Sequence, residues 1–391
     1  MLFIPIHFLV AVCLLHTKTG VLAVPQHAMN QMHGSFSLPL QRRIQTGSGS
    51  TDVTGYTDNT GEYAWLVDVT IRDQTFSLEL DTGSETTWVW SNQISEPPQG
   101  GSGKHTEYDY GAIAPSPVVS GSDFSLIYSG GSSGISGIVV QDTVSVAGVG
   151  VSMQFGAAQV VPGDWFYSDG LLALGWSSGN SITNKPPTFI ELIQHGLDAP
   201  IFTTLFDLTN AGGTLGFGAV DPTYSSSLKK LAVDNSTSSL WLVDNLSFTV
   251  GVETYPQDTI FFDLGSPTIA IQNDTVNAYW KSIPNAVRIN GTNWAMPCSA
   301  KLPDLHFTSP LNGQYQHVIP GSSFTGALAY NVPVLEVEFP MCYGGLVAQS
   351  CPSGCAVMGA PFFGTHYVVW NIAEPSVSFA LREGVQLGVA A

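Results

Sequence analysis

Phe76-Ser-Leu-Glu-Leu-Asp81-Thr-Gly-Ser84 in the first half of the chain and Thr259-Ile-Phe-Phe-Asp263-Leu-Gly-Ser266 in the second share one pattern, an apolar strand that runs into Asp-x-Gly-Ser. Alternating or continuous apolar side chains suit a strand buried on one or both faces, and Asp, Gly and Ser are turn formers. Each stretch is followed by a matching second element, Gly170-Leu-Leu-Ala-Leu-Gly175 and Ala356-Val-Met-Gly359. Measured from each Asp, the small residue of that element comes at 173 - 81 = 92 and 359 - 263 = 96. Two copies of one β unit, divided near residues 222 to 230, account for this. Working outward, short apolar or alternating runs recur from Tyr63 onward: Ala64 to Ile71, Thr75 to Leu80, Thr87 to Trp90, Phe124 to Tyr128 and Gly137 to Val146. That spacing predicts an all-β fold with a few short helices, at Thr188 to His195 before Gly196 and at Asn273 to Ser282 before Pro284.

Composition agrees. Of 391 residues only 11% are charged, against ~25% in an ordinary soluble domain, while Gly 41 and Pro 24 are abundant. Coiled coils, helical solenoids and polar disorder are excluded, and a hydrophobic fraction of 44% leaves ample area for one large β domain or two lobes. Lys+Arg 12 against Asp+Glu 30 gives a net charge of -18, which repels nucleic acid and anionic membranes. So few bases also mean little positive self-repulsion once carboxylates protonate, so the composition tolerates acid.

Leu2 to Leu15 is apolar apart from Pro5 and His7, and Val21-Leu22-Ala23 offers small residues for cleavage. This reads as a signal peptide over residues 1–23, too short to span a bilayer as a helix, and it predicts a secreted or vacuolar protein. Residues 24–55 read as a pro-segment or linker carrying the dibasic Arg42-Arg43, residues 56–225 as the first β lobe and 226–391 as the second. Outside the signal remain Cys298, Cys342, Cys351 and Cys355, an even set that predicts two disulfides with three connectivities open. Asn235, Asn245, Asn273 and Asn290 head Asn-x-Ser/Thr sequons, consistent with a glycoprotein. The nine His residues form no close metal pair, so no metal or cofactor site is expected.

Two Asp-x-Gly turns, each closing a buried strand in its own copy, can bring Asp81 and Asp263 together across a pseudo-two-fold axis. Gly83 and Gly265 permit close backbone approach, and Ser84 and Ser266 offer hydroxyl donors to the carboxylates. Paired carboxyls in one site cannot both ionise easily, so one keeps a proton while the other acts as base. Here the chain resembles the pepsin-like aspartic proteases, from about Tyr63 to Ala380. The likeness is carried by Asp81-Thr82-Gly83-Ser84 with Trp88-Val-Trp, Ile127-Tyr128-Ser-Gly-Gly131, Gly137-Ile-Val-Val-Gln-Asp142, Asp169-Gly-Leu-Leu-Ala-Leu174, Gly213-Thr-Leu-Gly-Phe-Gly-Ala-Val-Asp221, Leu302-Pro-Asp-Leu-His-Phe307 and Val357-Met-Gly-Ala-Pro-Phe-Phe363 leading to Tyr367-Val-Val-Trp-Asn371.

The resemblance implies a two-lobed β fold with a substrate cleft and an acid-active endopeptidase, monomeric and made as a zymogen, that cuts polypeptide substrates without a cofactor. In it Asp81 and Asp263 bind the attacking water, and Tyr128 with Gly131 forms a flap over the substrate and hydrogen-bonds Trp88. It also implies pairing of Cys298 with Cys342, leaving Cys351 with Cys355. The chain departs from the family at Leu264, where a hydroxyl residue normally reaches the opposite loop, at Ala173, and at Ala360, where an Asp usually follows the Gly. A threonine at 264 would restore that hydroxyl, unless the leucine has been packed among neighbours such as Phe261 or Phe262. These departures sustain a second reading, a weak or inactive relative that binds a protein or glycan. Gly-x-Ser-x-Gly at Gly130 to Gly134 and Gly175 to Gly179 lacks the following helix that a serine-hydrolase elbow needs.

Overall fold

The computed structural model describes residues 47–57, 63–94, 105–127, 134–161, 168–209, 212–309, 317–328, 340–349 and 356–388. Tyr128, Gly131, Cys351, Cys355, the expected signal peptide and most of the expected pro-segment lie outside them. Among the described residues the chain forms sheets of thirteen, seven and four strands. The α-helices are Phe189–Ile193, Asn273–Lys281 and the four-residue Ala360–Phe363. The first two fall where Gly196 and Pro284 predicted stops.

The internal repeat is visible in the strand pairing. Strand Gln74–Asp81 pairs antiparallel with Tyr63–Ile71 on one side and parallel with Gly170–Ala173 on the other, with Asp81 opposite Ala173. In the second copy Glu253–Phe262 pairs antiparallel with Leu242–Val250 and parallel with Val357–Met358. A third strand completes each unit: Trp88–Trp90 runs antiparallel to Gly170–Ala173, and Ile269–Ile271 antiparallel to Val357–Met358. Parallel pairs need cover on both faces, which is why Gly170–Ala173, Ile269–Ile271 and Val357–Met358 read as unbroken apolar runs, whereas Ser77 and Glu79 keep Gln74–Asp81 alternating. Phe76, Leu78, Leu80, Ile260 and Phe262 are fully buried.

The two copies are joined by shared strands. Gly49–Thr57, whose first residues were read as linker, is a strand between Tyr63–Ile71 and Gly212–Phe217. In the same sheet Ile201–Asp207 pairs with His366–Asn371, which pairs with Ser376–Leu381, which pairs with Lys229–Ala232. Chain segments far apart in sequence thus alternate in one sheet. A file of aromatics crosses beneath the repeats: Trp176 and Trp241 with ring centroids 4.3 Å apart, Trp241 and Trp370 at 5.1 Å, Trp370 and Phe202 at 5.4 Å. The indole of Trp241 donates to the Leu174 carbonyl at 2.8 Å, so its one polar atom is satisfied inside the core.

Cys298 and Cys342 form a disulfide, the first of the two pairings implied by the resemblance. It ties the end of strand Trp294–Pro297 to its partner Met341–Gly344 and closes a loop with a sequence separation of 44. Chain-entropy arithmetic for a loop of that length gives up to about 4 kcal/mol of stability. The double variant Cys298→Ser/Cys342→Ser is expected to lose a large part of that amount in urea unfolding under non-reducing conditions, and an unchanged midpoint would contradict the assignment.

Candidate active site

Each Asp sits where its strand leaves the sheet. Asp81 is held by the bond from the Leu174 amide to its own carbonyl (2.8 Å), and Asp263 by the bond from its amide to the Met358 carbonyl (3.0 Å). The turns are then the same: Gly83 N donates to Asp81 Oδ1 at 2.7 Å and Gly265 N to Asp263 Oδ1 at 2.9 Å. These are Asx turns, in which the side chain mimics a backbone acceptor. The two turns face one another. A Cβ on Gly83 would lie 2.6 Å from the Asp263 carboxyl carbon, and one on Gly265 would lie 2.7 Å from Asp81 Oδ1. Each glycine is therefore required by the opposite carboxylate, and the two carboxyls converge with 6% exposure each.

Thr82 ties the loops together. Its hydroxyl donates to the Phe262 carbonyl and accepts from the Leu264 amide, both at 2.9 Å. The reciprocal hydroxyl is absent, since position 264 is a leucine, and Leu264 is fully buried in the principal core that also holds Phe262. Of the two expectations for this position, packing into the core is the one realised, and Phe261 belongs instead to a small cluster with Leu240 and Leu242.

The two serines, expected to act alike, differ. Ser84 Oγ donates to Asp81 Oδ2, whereas Ser266 Oγ turns away from Asp263 to the Thr268 carbonyl at 3.1 Å. The expectation for Ser266 is corrected: in the Ser-Pro-Thr turn the nearby carbonyl takes its proton. Asp81 thus accepts two fixed donors from its own turn and Asp263 accepts one, so negative charge is better supported on Asp81. Burial raises both carboxyls above the usual range. The hydrogen bonds from Asp263, Ser84 and Gly83 restrain the rise at Asp81. Asp263 is pushed well up, first by burial and then by the charge of Asp81.

Trp88 is fully buried in a satellite cluster with Trp90, Phe124, Leu171, Ala173 and Ile182, in the same sheet as Val118–Ile127 and Gly134–Val146, the strands on either side of the expected flap. Ala173, one of the departures, fills a core position there. Ala360 is also buried, and its amide donates to the Ser266 carbonyl at 2.9 Å, so it caps the second Asp turn from below.

Sequence reasoning missed Glu85. Its carboxylate accepts from Ser239 Oγ, and burial pushes its pKa up to about 7, against the restraint of that hydrogen bond. The available signal was an acidic residue directly after Asp-Thr-Gly-Ser in a charge-poor chain. The Gly175-x-Ser-x-Gly179 match also has its explanation here, since both glycines pack against the Glu85 side chain.

Comparison with known proteins gives a consistent result. A family model described as eukaryotic aspartyl protease matches residues 62–382. Penicillopepsin-1 of Penicillium rubens is 32% identical over 354 residues, covering 88% of this chain and 84% of that protein. Aspergillopepsin-1 of Aspergillus flavus is 30% identical over 369 residues, covering 92% and 86%.

Two outcomes follow from this geometry. Leu264→Thr trades buried apolar contact and a residual cavity for at most one or two recovered hydrogen bonds, so a net stability loss of about 1 to 2 kcal/mol is expected in chemical denaturation. A gain would mean that the loops are poised for the missing hydroxyl. The second concerns pH. Asp81, Asp263 and Glu85 have raised pKa values, so the stability they contribute is complete below the ordinary carboxylate range and is lost as pH rises, for Glu85 through about 7. His366 and His317, pushed down by burial to about 4, act in the opposite sense: their contribution is present above the ordinary imidazole value and is lost as pH falls through about 4. Between about 4 and 7 the histidine and Glu85 contributions change in opposite senses and offset one another, so the net fall in melting temperature toward neutral pH should come from the Asp pair, with Asp263→Asn flattening it. A maximum above neutrality would refute this.

Proposed function

Because this chain belongs to the eukaryotic aspartyl protease family, we propose that it is an acid-active endopeptidase in which Asp81 and Asp263 share one water and one proton. The observation that carries this reading is the convergence of two carboxyls in facing Asx turns, each glycine set against the opposite carboxylate. Unequal donors give the pair unequal tasks. Asp81, as the carboxylate, takes a proton from the shared water, whose oxygen attacks the scissile carbonyl carbon. Asp263, as the acid, hydrogen-bonds the carbonyl oxygen and stabilises the charge that develops there. As the tetrahedral intermediate collapses, the C–N bond breaks and the proton held by Asp81 passes to the leaving amine. The Thr82 tie keeps the two turns in register through this exchange.

The family implies polypeptide substrates. The finer reading is cleavage between bulky apolar residues, with Tyr128 and Gly131 in a flap and Trp88 supporting it from the buried cluster beneath. Residues 1–23 act as a leader to a secreted or vacuolar compartment, and residues 24 onward as a pro-segment cut near Arg42-Arg43. Cleavage there would leave the first paired strand, Gly49–Thr57, intact. The lobes are 56–225, with that strand added, and 226–391. The competing reading, a non-hydrolytic binder of protein or glycan, rests on Leu264 and Ala360. Both are accommodated by packing, and both carboxyls and both turns are present, which favours hydrolysis.

Asp81→Asn and Asp263→Asn are each expected to abolish hydrolysis of a denatured protein mixture at acid pH, because an amide cannot share the proton. Wild-type activity should be blocked by a pepstatin-type inhibitor. More than a few per cent of wild-type turnover in either variant, in a protease-free preparation, would rule out the two-carboxyl mechanism.

A further inference from the structure

We propose that Glu85 is a positioning residue for the Asp pair: its hydrogen bond to Ser239 supplies, between the two repeats, the tie that Leu264 cannot make, four residues along the chain from Asp81. This rests on the reading of Asp81 and Asp263 as the hydrolytic pair. Glu85 directly follows Ser84, the donor to Asp81, so any shift of its backbone is passed to that donor. Its partner Ser239 stands in the second repeat, two residues before Trp241. Around this bond lies a small built enclosure. Gly175 N donates to the Ser84 carbonyl and Trp176 N to the Ser239 carbonyl, both at 2.9 Å, and Trp241 reaches the Leu174 carbonyl at 2.8 Å. The short turn Ser177–Gly179 closes over it, and a Cβ on Gly179 would overlap both Glu85 Oε1 and Ser239 Oγ. A Cβ on Gly175 would lie 3.1 Å from Glu85 Cγ. The surrounding chain is thus shaped to this one carboxyl and hydroxyl.

Glu85 also carries charge. The charged groups that act on it among the described residues are Asp81, which favours the protonated form, and Lys185, which weakly opposes it while its ammonium is bonded to the Ser178 carbonyl. The influence is reciprocal, and Glu79 adds a further like charge that raises Asp263. When Glu85 ionises, its negative charge makes the pair's shared proton harder to lose, which extends the protonated state of the pair to higher pH.

The test compares wild type with Glu85→Ala, Glu85→Gln and Gly179→Ala on one peptide substrate across acid and neutral pH. Glu85→Ala removes both tie and charge, and kcat should fall about 10-fold with KM changed less than about twofold. Glu85→Gln keeps an oxygen for Ser239 without the charge and should recover most of kcat. In both variants the upper limb of the kcat/KM profile should move down by about half a pH unit. Gly179→Ala, which crowds the enclosure without altering either partner, should reproduce the kcat loss, and it carries the test if Glu85→Ala does not fold. Wild-type kcat in Glu85→Ala and Gly179→Ala, or an unmoved upper limb in Glu85→Gln, would overturn the proposal. Absence of pepstatin-sensitive activity in the wild type would instead overturn the reading of the pair. Glu85 would then be judged by melting temperature, whose fall toward neutral pH should be smaller in Glu85→Gln than in wild type if its carboxyl is held in this enclosure.

Discussion

The structure depends on a mutual demand between two buried carboxyls. The Asp81 carboxylate lies so close to the opposite turn that Gly265 is required there, and the Asp263 carboxylate requires Gly83 in the same way. Two negative charges at such closeness with little water are costly, so the fold favours a pair that retains one proton. Much of the surrounding architecture follows from holding that proton between two turns that belong to different ends of the chain. The strands that deliver the carboxyls are each flanked by a parallel neighbour, which fixes the height at which the chain leaves the sheet.

The loops need a further restraint, because convergent like-charged groups push their own scaffolds apart. One side has it in the Thr82 hydroxyl, which both donates and accepts across the interface. The other side offers an aliphatic chain. Leu264 contributes cohesion without direction: burying it favours closeness of the loops but does little to specify their relative angle. Directional contacts are displaced outward instead, to Ser239 and Trp241, which meet the first repeat at Glu85, Trp176 and Leu174.

Much of this was legible in the sequence, for physical reasons. Strand runs such as Phe76 to Leu80 and turns of the Asp-Thr-Gly-Ser type are local decisions, made by side chains within a few residues of one another, and the matched spacing of 92 and 96 made the repeat readable without a second protein. The symmetric roles given to Ser84 and Ser266 did not hold, because a hydroxyl chooses among acceptors in space, and at Ser266 the Thr268 carbonyl lies nearer to hand than the carboxylate. Glu85 was passed over for a related reason: its partner Ser239 is 154 positions away, and no periodicity links the two. Gly175 and Gly179 matched a motif of an unrelated chemistry because a small residue can be demanded by any close neighbour, and only the neighbour says which.

The pairing of strands also constrains the order of events during synthesis. Asp263 is fixed by the Met358 carbonyl, and the sheet that contains Gly49–Thr57 also contains Ser376–Leu381, joined through Ile201–Asp207 and His366–Asn371. A ribosome releases these segments in sequence, so the early strands must wait for partners made more than a hundred residues later. Pairings of such high contact order form slowly and late. A nascent chain therefore holds Asp81 in a turn with no companion until residues near 358 have emerged. The pair is completed only when the rest of the body is ready to fold, so the two carboxyls are brought together at the end of folding rather than during it.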